Sequence, residues 1–237
     1  MSHKPKFIST LAHDLKNSVG NSMMYSELLS LELQELADSN IQTENDIESL
    51  VQMSENIRLG SSKLINQINS WVYTHHFIEG SYEEELKRFS LTVLFNSIID
   101  SNLLYLSKKE IKLNIICDDE VFLTADSEIL KLIIDNLLIQ CIIFSNPGDE
   151  IRISVYETPE NISLSIADAY GSPRSEVIQR FLNETDVTGD EIPEEGILKA
   201  TGYGMIFCGL AIKQIKAQAK VEKNDLGGLT FSILLKK

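Results

Sequence analysis

The sequence predicts an α+β chain: an N-terminal helical hairpin that pairs into a dimeric four-helix bundle, followed by an α/β sandwich. Three observations carry the prediction. Residues 6 to about 37 hold no proline and one glycine, Gly20, with Ile8, Leu11, Leu15, Val19 and Met23 close to one per helical turn; that is an amphipathic helix with one apolar stripe. Further on, Ile47, Leu50, Ser54, Ile57, Ser61, Leu64, Ile68 and Trp71 recur at alternating steps of three and four, the spacing of a coiled-coil-like seam. From Ser90 onward, helical patterns alternate with short β-branched runs, which indicates helices layered on a mostly antiparallel sheet.

The elements follow in order. "ADSNIQTEND" breaks the first helix with capping and turn residues, and the second helix runs to about Gly80. Two long helices joined by a short loop form a hairpin. One hairpin cannot bury a seam on both helices, so pairing with a second copy is expected; packing on the chain's own second half is the alternative. Residues 1–82 are taken as the hairpin domain and 83–237 as the sandwich. In the latter the pattern predicts a helix over about 91–107, a strand at "IKLNIIC" and a helix through "SEILKLIIDNLLIQCIIF". Strands at "EIRISVYE" and "ISLSIADA" come next, joined by the turn "TPEN". A short helix at "SEVIQRFL", an acidic loop, a helix over about 204–218 and a closing strand pair, "AKVEKN" and "GLTFSILL", complete the chain.

Charge and composition exclude several classes of function. A net charge of −14 over 237 residues opposes nucleic acid and anionic membranes alike, and neither is expected as a partner. Cys117, Cys141 and Cys208 are odd in number and far apart, which fits free thiols rather than disulfides or a metal site. The start "MSHKPKFIST" has no apolar signal core, and the most apolar run is broken by Lys131, Asp135, Asn136 and Gln140. A soluble, cytoplasmic chain without a separate sensory segment is the expectation. His3, His75 and His76 are not read as part of a metal-ligand set, and no resident metal is expected.

One histidine stands apart. His13 lies in "FISTLAHDLKNSVG", and at roughly 100° per residue it sits about 150° from the Ile8–Leu11–Leu15–Val19 stripe, facing solvent. Asp14 is adjacent and could orient the imidazole; Lys16 and Asn17, three and four residues on, share its face and could meet an anion.

"AHDLKNSV" resembles the phospho-acceptor box of two-component histidine kinases and histidine phosphotransferases, with His13 at the phosphorylated position, Asp14 at the acidic neighbour and Asn17 at the polar position after Lys16; Ser18 stands where proline is usual. The second half is similar to that superfamily's ATP-binding domain, the Bergerat-type sandwich of GHKL ATPases. "LKLIIDNLLIQCIIFS" resembles its asparagine box, Asn136 matching the first asparagine and Gln140 standing at the magnesium ligand, with Ile143 at a position that is usually polar. "DAYGSP" resembles the first glycine box, with Asp168 at the adenine-reading carboxylate, Gly171 kept and Pro173 at the second glycine. "TGYGMIFCGLAI" resembles the second, with Gly202 and Gly204 kept and Ile206 where a glycine is expected.

These departures imply a nucleotide site that has lost much of its chemistry. Glutamine's extra methylene displaces a magnesium ligand by more than an ångström, and the acids of "NETDVTGDEIPEEG" would lie near a polyanion. The pattern is similar to the ChpT-type histidine phosphotransferases, dimers whose degenerate second domain does not use ATP; "HDLKNSVG" and "DNLLIQCIIFSNPGDEIRISV" carry that likeness. The resemblance implies a phosphorelay protein. The receiver domain of a hybrid histidine kinase, supplying its own magnesium, would load His13, and a response regulator would unload it. The alternatives are an ATP-dependent kinase core that phosphorylates itself on His13, and a pseudokinase scaffold that binds a regulator without phosphorylation.

Overall fold

A computed structural model describes residues 19–20, 22–29, 31–33, 35, 44–117, 120–169, 179, 182 and 197–237. The chain divides into two compact units between Asn69 and Ser70, inside the second helix. The sequence draws the boundary after residue 82; the helix's last turns instead group with the second unit, because Tyr73 and Phe77 pack against its apolar core.

In the first unit the described positions from 19 to 35 are helical (α1), and α2 spans Glu44–Glu79. Ser22 of α1 lies against Gly60, where a Cβ would collide with its hydroxyl, and Ser49 Oγ donates to Glu32 Oε1 at 3.2 Å. Rising numbers on α1 thus meet falling numbers on α2, the geometry of an antiparallel hairpin. The expected seam on α2 splits in two. Leu50, Ile57, Leu64 and Trp71 are half-buried within the chain. Ile47, Val51, Ile65, Ile68 and Val72, at steps of three and four with Ser54, Arg58 and Ser61 between, form an exposed stripe, with Val51 55% and Ile65 56% exposed.

The second unit is an α+β sandwich. It contains β1 (Leu86–Ser90), α3 (Leu91–Lys108), β2 (Lys112–Cys117), β3 (Phe122–Asp126), α4 (Ser127–Phe144), β4 (Glu150–Glu157) and β5 (Asn161–Ala167). It closes with α5 (Ile197–Gln214), β6 (Gln218–Lys223) and β7 (Leu229–Lys236). The large sheet has the order β2-β4-β5-β7-β6, parallel only at β2–β4, and β1 pairs antiparallel with β3 in a separate ribbon. Strand alternation puts Ile151, Ile153, Ile162, Leu164, Ile166, Phe231 and Ile233 on the buried face, while Ser163, Ser165, Thr230 and Ser232 are half-buried polar positions between them. α4 packs with α3 and α5 over this sheet, and its apolar residues occur nearly all round the helix, 12 of its 18 residues being buried.

Local chemistry sets the boundaries. Ser90 caps α3 and Asp126 caps α4, its Oδ1 accepting from Glu128 N and Ile129 N at 3.1 Å each. Lys109 Nζ donates to the carbonyls of Ile142, Ile143 and Ser145 at the other end of α4, a cation against the negative end of the helix. α5 begins well before residue 204 and stops at Gln214. Lys216 takes a left-handed conformation (φ 54°), with Ala217 N donating to Ile212 O and Lys216 N to Lys213 O. That is a Schellman stop made without glycine, so the sequence carried the helix too far. The ribbon strands β1 and β3 are absent from the sequence reading; "LKRFS" lacks the β-branched alternation that marks a strand. "SEVIQRFL" lies outside the described residues apart from Gln179 and Leu182, both helical.

Candidate functional site

His13, Asp14, Lys16 and Asn17 lie outside the described residues, as do Gly171 and Pro173. The second unit contains the other residues singled out by the sequence, and it brings two of them together.

Asn136 and Gln140 are one turn apart on α4. Asn136 is half-buried; its Nδ2 donates to Leu132 O at 2.7 Å and to Ser70 Oγ at 3.5 Å. Its Oδ1 lies over Gly204 so closely that a Cβ there could not be placed without moving it. Gln140 is only 2% exposed, with its side chain in the helix-packed interior. Gly202 and Gly204 both fall inside α5. The N–H groups left free at a helix start are those of its first four residues, here 197–200, so neither glycine presents a free N–H to a phosphate.

Asp168 follows β5 and is fully buried. Its Oδ1 accepts from Leu229 N at 2.8 Å, its N–H donates to Leu229 O at 2.9 Å, and its carbonyl accepts from Asn224 Nδ2 at 2.9 Å. Asn224 Oδ1 accepts in turn from Leu226 N and Gly228 N, closing the β6–β7 turn. Any Cβ at Gly228 would run into the Asp168 carbonyl and carboxylate. Asn224 and Gly228 were missed from sequence, although "NDLGG" is a turn signal. Among the described residues of the candidate site, Gln140 is buried, Gly202 and Gly204 are internal to a helix, and one Asp168 oxygen braces a hairpin.

A separate cavity of about 230 Å³ lies where α2 ends, lined by Tyr73, His76, Tyr82, Glu85, Asp126 and Glu128 among others. No residue singled out for chemistry lines it. Burial, and then the hydrogen bond to Asp126, pushes the Tyr82 hydroxyl far above its ordinary pKa. Tyr73 is raised as well, by burial first and then by Asp126, Glu128 and Glu85. On α5, burial and then Asp135 raise the Cys208 thiol, which points at Ile133 O. Cys208 and Cys141 are buried and Cys117 is half-buried, none of the three in a disulfide. Among the described residues no group of His, Cys, Asp or Glu could hold a metal ion, and no helix is long and apolar enough to cross a membrane.

A helical hairpin followed by this sandwich is the fold of the histidine-kinase catalytic region. The histidine kinase AdeS of Acinetobacter baumannii superposes with a TM-score of 0.56 at 14% identity, over 90% of this chain and 94% of its own. The catalytic domain of the histidine kinase ThkA gives 0.55 at 18%, over 65% of this chain and 98% of its own. ThkA in complex with the response regulator protein TrrA gives 0.54 at 14%, over all of this chain and 62% of its own. In sequence, the sensor protein EvgS of Escherichia coli O157:H7 is 22% identical over 98% of this chain, which spans 19% of that protein's length. No protein-family model matches the chain.

Proposed function

We propose that the chain is a histidine phosphotransferase of a two-component phosphorelay, of the ChpT type, that moves a phosphoryl group through His13 without using ATP. The unprotonated imidazole nitrogen of His13 attacks the phosphorus of a receiver's aspartyl phosphate in line. The N–P bond forms as the P–O bond to the receiver's carboxylate breaks. The second transfer reverses these bonds onto the aspartate of a response regulator. Imidazole has a reference pKa near 6.5, so the neutral form is abundant at pH 7 and the step needs positioning more than activation. Asp14 holds the ring through its other nitrogen, and Lys16 and Asn17 meet the phosphoryl oxygens. The magnesium that offsets the phosphoryl charge belongs to the receiver.

The observation that supports transfer without ATP is the position of Gly202 and Gly204 inside α5, with Gln140 buried. The exposed Ile47–Val51–Ile65–Ile68–Val72 stripe supports a homodimer, because a heptad-spaced apolar face left in water is the surface a second hairpin covers. The partners are then the receiver of a hybrid histidine kinase and a response regulator. A second reading, an ATP-dependent kinase core, is favoured by one observation: the three solved neighbours described above are all histidine kinases.

Two incubations separate the readings. With labelled ATP and magnesium the chain is expected to gain no label; autophosphorylation would establish the kinase. With a labelled phospho-receiver, wild type is expected to gain acid-labile label and His13→Ala none. Equal labelling of the variant, or none of wild type, leaves a regulator-binding scaffold.

A further inference from the structure

The segment that joins the end of α2 to β1, residues 80–85, has the composition of a loose linker, "GSYEEE", yet the structure ties it down along its length. Gly80 takes φ +66°, Ser81 N donates to His76 O at 3.0 Å and Gly80 N to Phe77 O at 3.3 Å, a complete Schellman stop that turns the chain sharply. His76 Nδ1 and Ser81 Oγ are paired at 2.9 Å across the same turn. Tyr82 then folds back: its ring meets Phe77 edge-on at 4.9 Å and Tyr73 at 6.1 Å, and Phe77 stacks on the buried Phe207 of α5 at 6.1 Å.

Asp126 closes the arrangement. One carboxylate oxygen caps α4 through Glu128 N and Ile129 N. The other accepts from Tyr82 Oη at 2.5 Å and from Glu85 N at 3.1 Å. A single side chain thus holds the first turn of α4 and both ends of the Tyr82–Glu85 stretch. Asn136, further along α4, reaches Ser70 of α2, and Thr74 Oγ1 donates back to Ser70 O at 2.7 Å.

We propose that residues 80–85 form a fixed elbow keyed by Asp126, which makes the last turns of α2 and the first turn of α4 move as one body. Twist or displacement arriving at the end of α2 is delivered to α4, the helix that carries Asn136 and Gln140, rather than absorbed in the connector. The acidic side chains of the connector keep it in water without loosening it, because its fixed points are backbone N–H groups, one phenol and an aromatic stack.

The elbow is tested in the full chain with two variants. Asp126→Asn keeps an oxygen to cap α4 but turns an NH₂ toward Glu85 N–H, so only the elbow side is broken. Tyr82→Phe keeps the ring packing and loses the Oη donor alone. Amide exchange at Glu85 is expected to be protected in the parent and to quicken tenfold or more in both variants. Nitroxides at Ile78→Cys and Leu103→Cys, both exposed in the parent, in a Cys117→Ser background diluted with unlabelled chain, are expected to give one narrow distance that broadens in the variants. A broad or multiple distance with Asp126 and Tyr82 intact, or unprotected exchange at Glu85 in the parent, overturns the elbow. If Asp126→Asn does not fold, Tyr82→Phe alone decides: unchanged exchange and an unchanged distance distribution reject the proposal.

Discussion

Helices α2 and α4 are both rich in apolar residues, and the chain treats them in opposite ways. α4 buries 12 of its 18 residues, and Ile129, Leu130, Ile133 and Ile134 are wholly shielded. α2, at 36 residues, has only Leu59, Ser70 and Thr74 in the buried class among its described side chains, and leaves a regular apolar stripe in water. Burial of an Ile or Leu side chain is worth about 1.5–3 kcal/mol, so α4 contributes its stabilisation within the chain. Among the described residues, α2 leaves one apolar stripe uncovered. The difference is one of angular distribution: α4 is apolar nearly all round and must be enclosed, whereas α2 is apolar in stripes and can offer one of them to a partner.

The largest test of this contrast is a pair of truncations. Ile133→Ala is expected to destabilise the second unit by about 2–5 kcal/mol, since a buried isoleucine leaves a cavity that cannot fully relax. Ile65→Ala is expected to change the stability of the isolated chain by no more than about 0.5 kcal/mol, while weakening self-association measured by light scattering across a dilution series. Chemical denaturation at low protein concentration checks the first. Comparable losses for the two would mean that the α2 stripe is buried within the chain.

Two glycines sharpen the comparison at smaller scale. Gly228→Ala is expected to cost about 1–3 kcal/mol, because the new methyl group meets the Asp168 carbonyl, which is backbone and cannot move away. Gly204→Ala meets only the far end of the Asn136 side chain, which can turn aside, so its cost is expected to be the smaller and its main effect the loss of the Asn136–Ser70 contact. Thermal melting ranks the two; the reverse order would show that the Asn136 side of the candidate site is the more rigid.

The smallest effect is alkaline. Tyr82, Tyr73 and Tyr105 hold their protons above the ordinary value of 10.0, and Cys208 above 9.0, through burial first in every case. Folded pKa values raised in this way mean that the native state keeps protons that the unfolded chain gives up. The stabilisation is therefore complete below about pH 9 and falls as pH rises through 9 and 10 and beyond. Melting temperature is expected to fall along that window, and Tyr82→Phe to flatten the slope. A parent melting temperature that holds constant from pH 8 to 11 would contradict the assignment.

Legibility followed the kind of signal each element carries. α4 was read to its residue limits because an acidic cap, an unbroken apolar run and an "SNPG" turn all act locally. β4 and β5 were read from their alternation with a buried face. β1 and β3 were missed, since each short strand is defined by its partner and not by its composition. The C-terminal limit of α5 was misplaced because Lys216 supplies a left-handed stop that nothing in the residue type announces.

The candidate site divides along the same line. The sequence by itself determined the fold class, the residue types at positions 13, 136, 140, 168, 202 and 204, and the departure at Gln140, because those are matters of pattern and identity. Only the tertiary structure decided that Asp168 braces the β6–β7 turn, that Asn136 faces Gly204 and Ser70, and that Asp126 ties the Tyr82–Glu85 connector to the first turn of α4. Each is a contact between residues far apart in the chain, and hydrogen-bond geometry over such separations is fixed by packing rather than by local propensity.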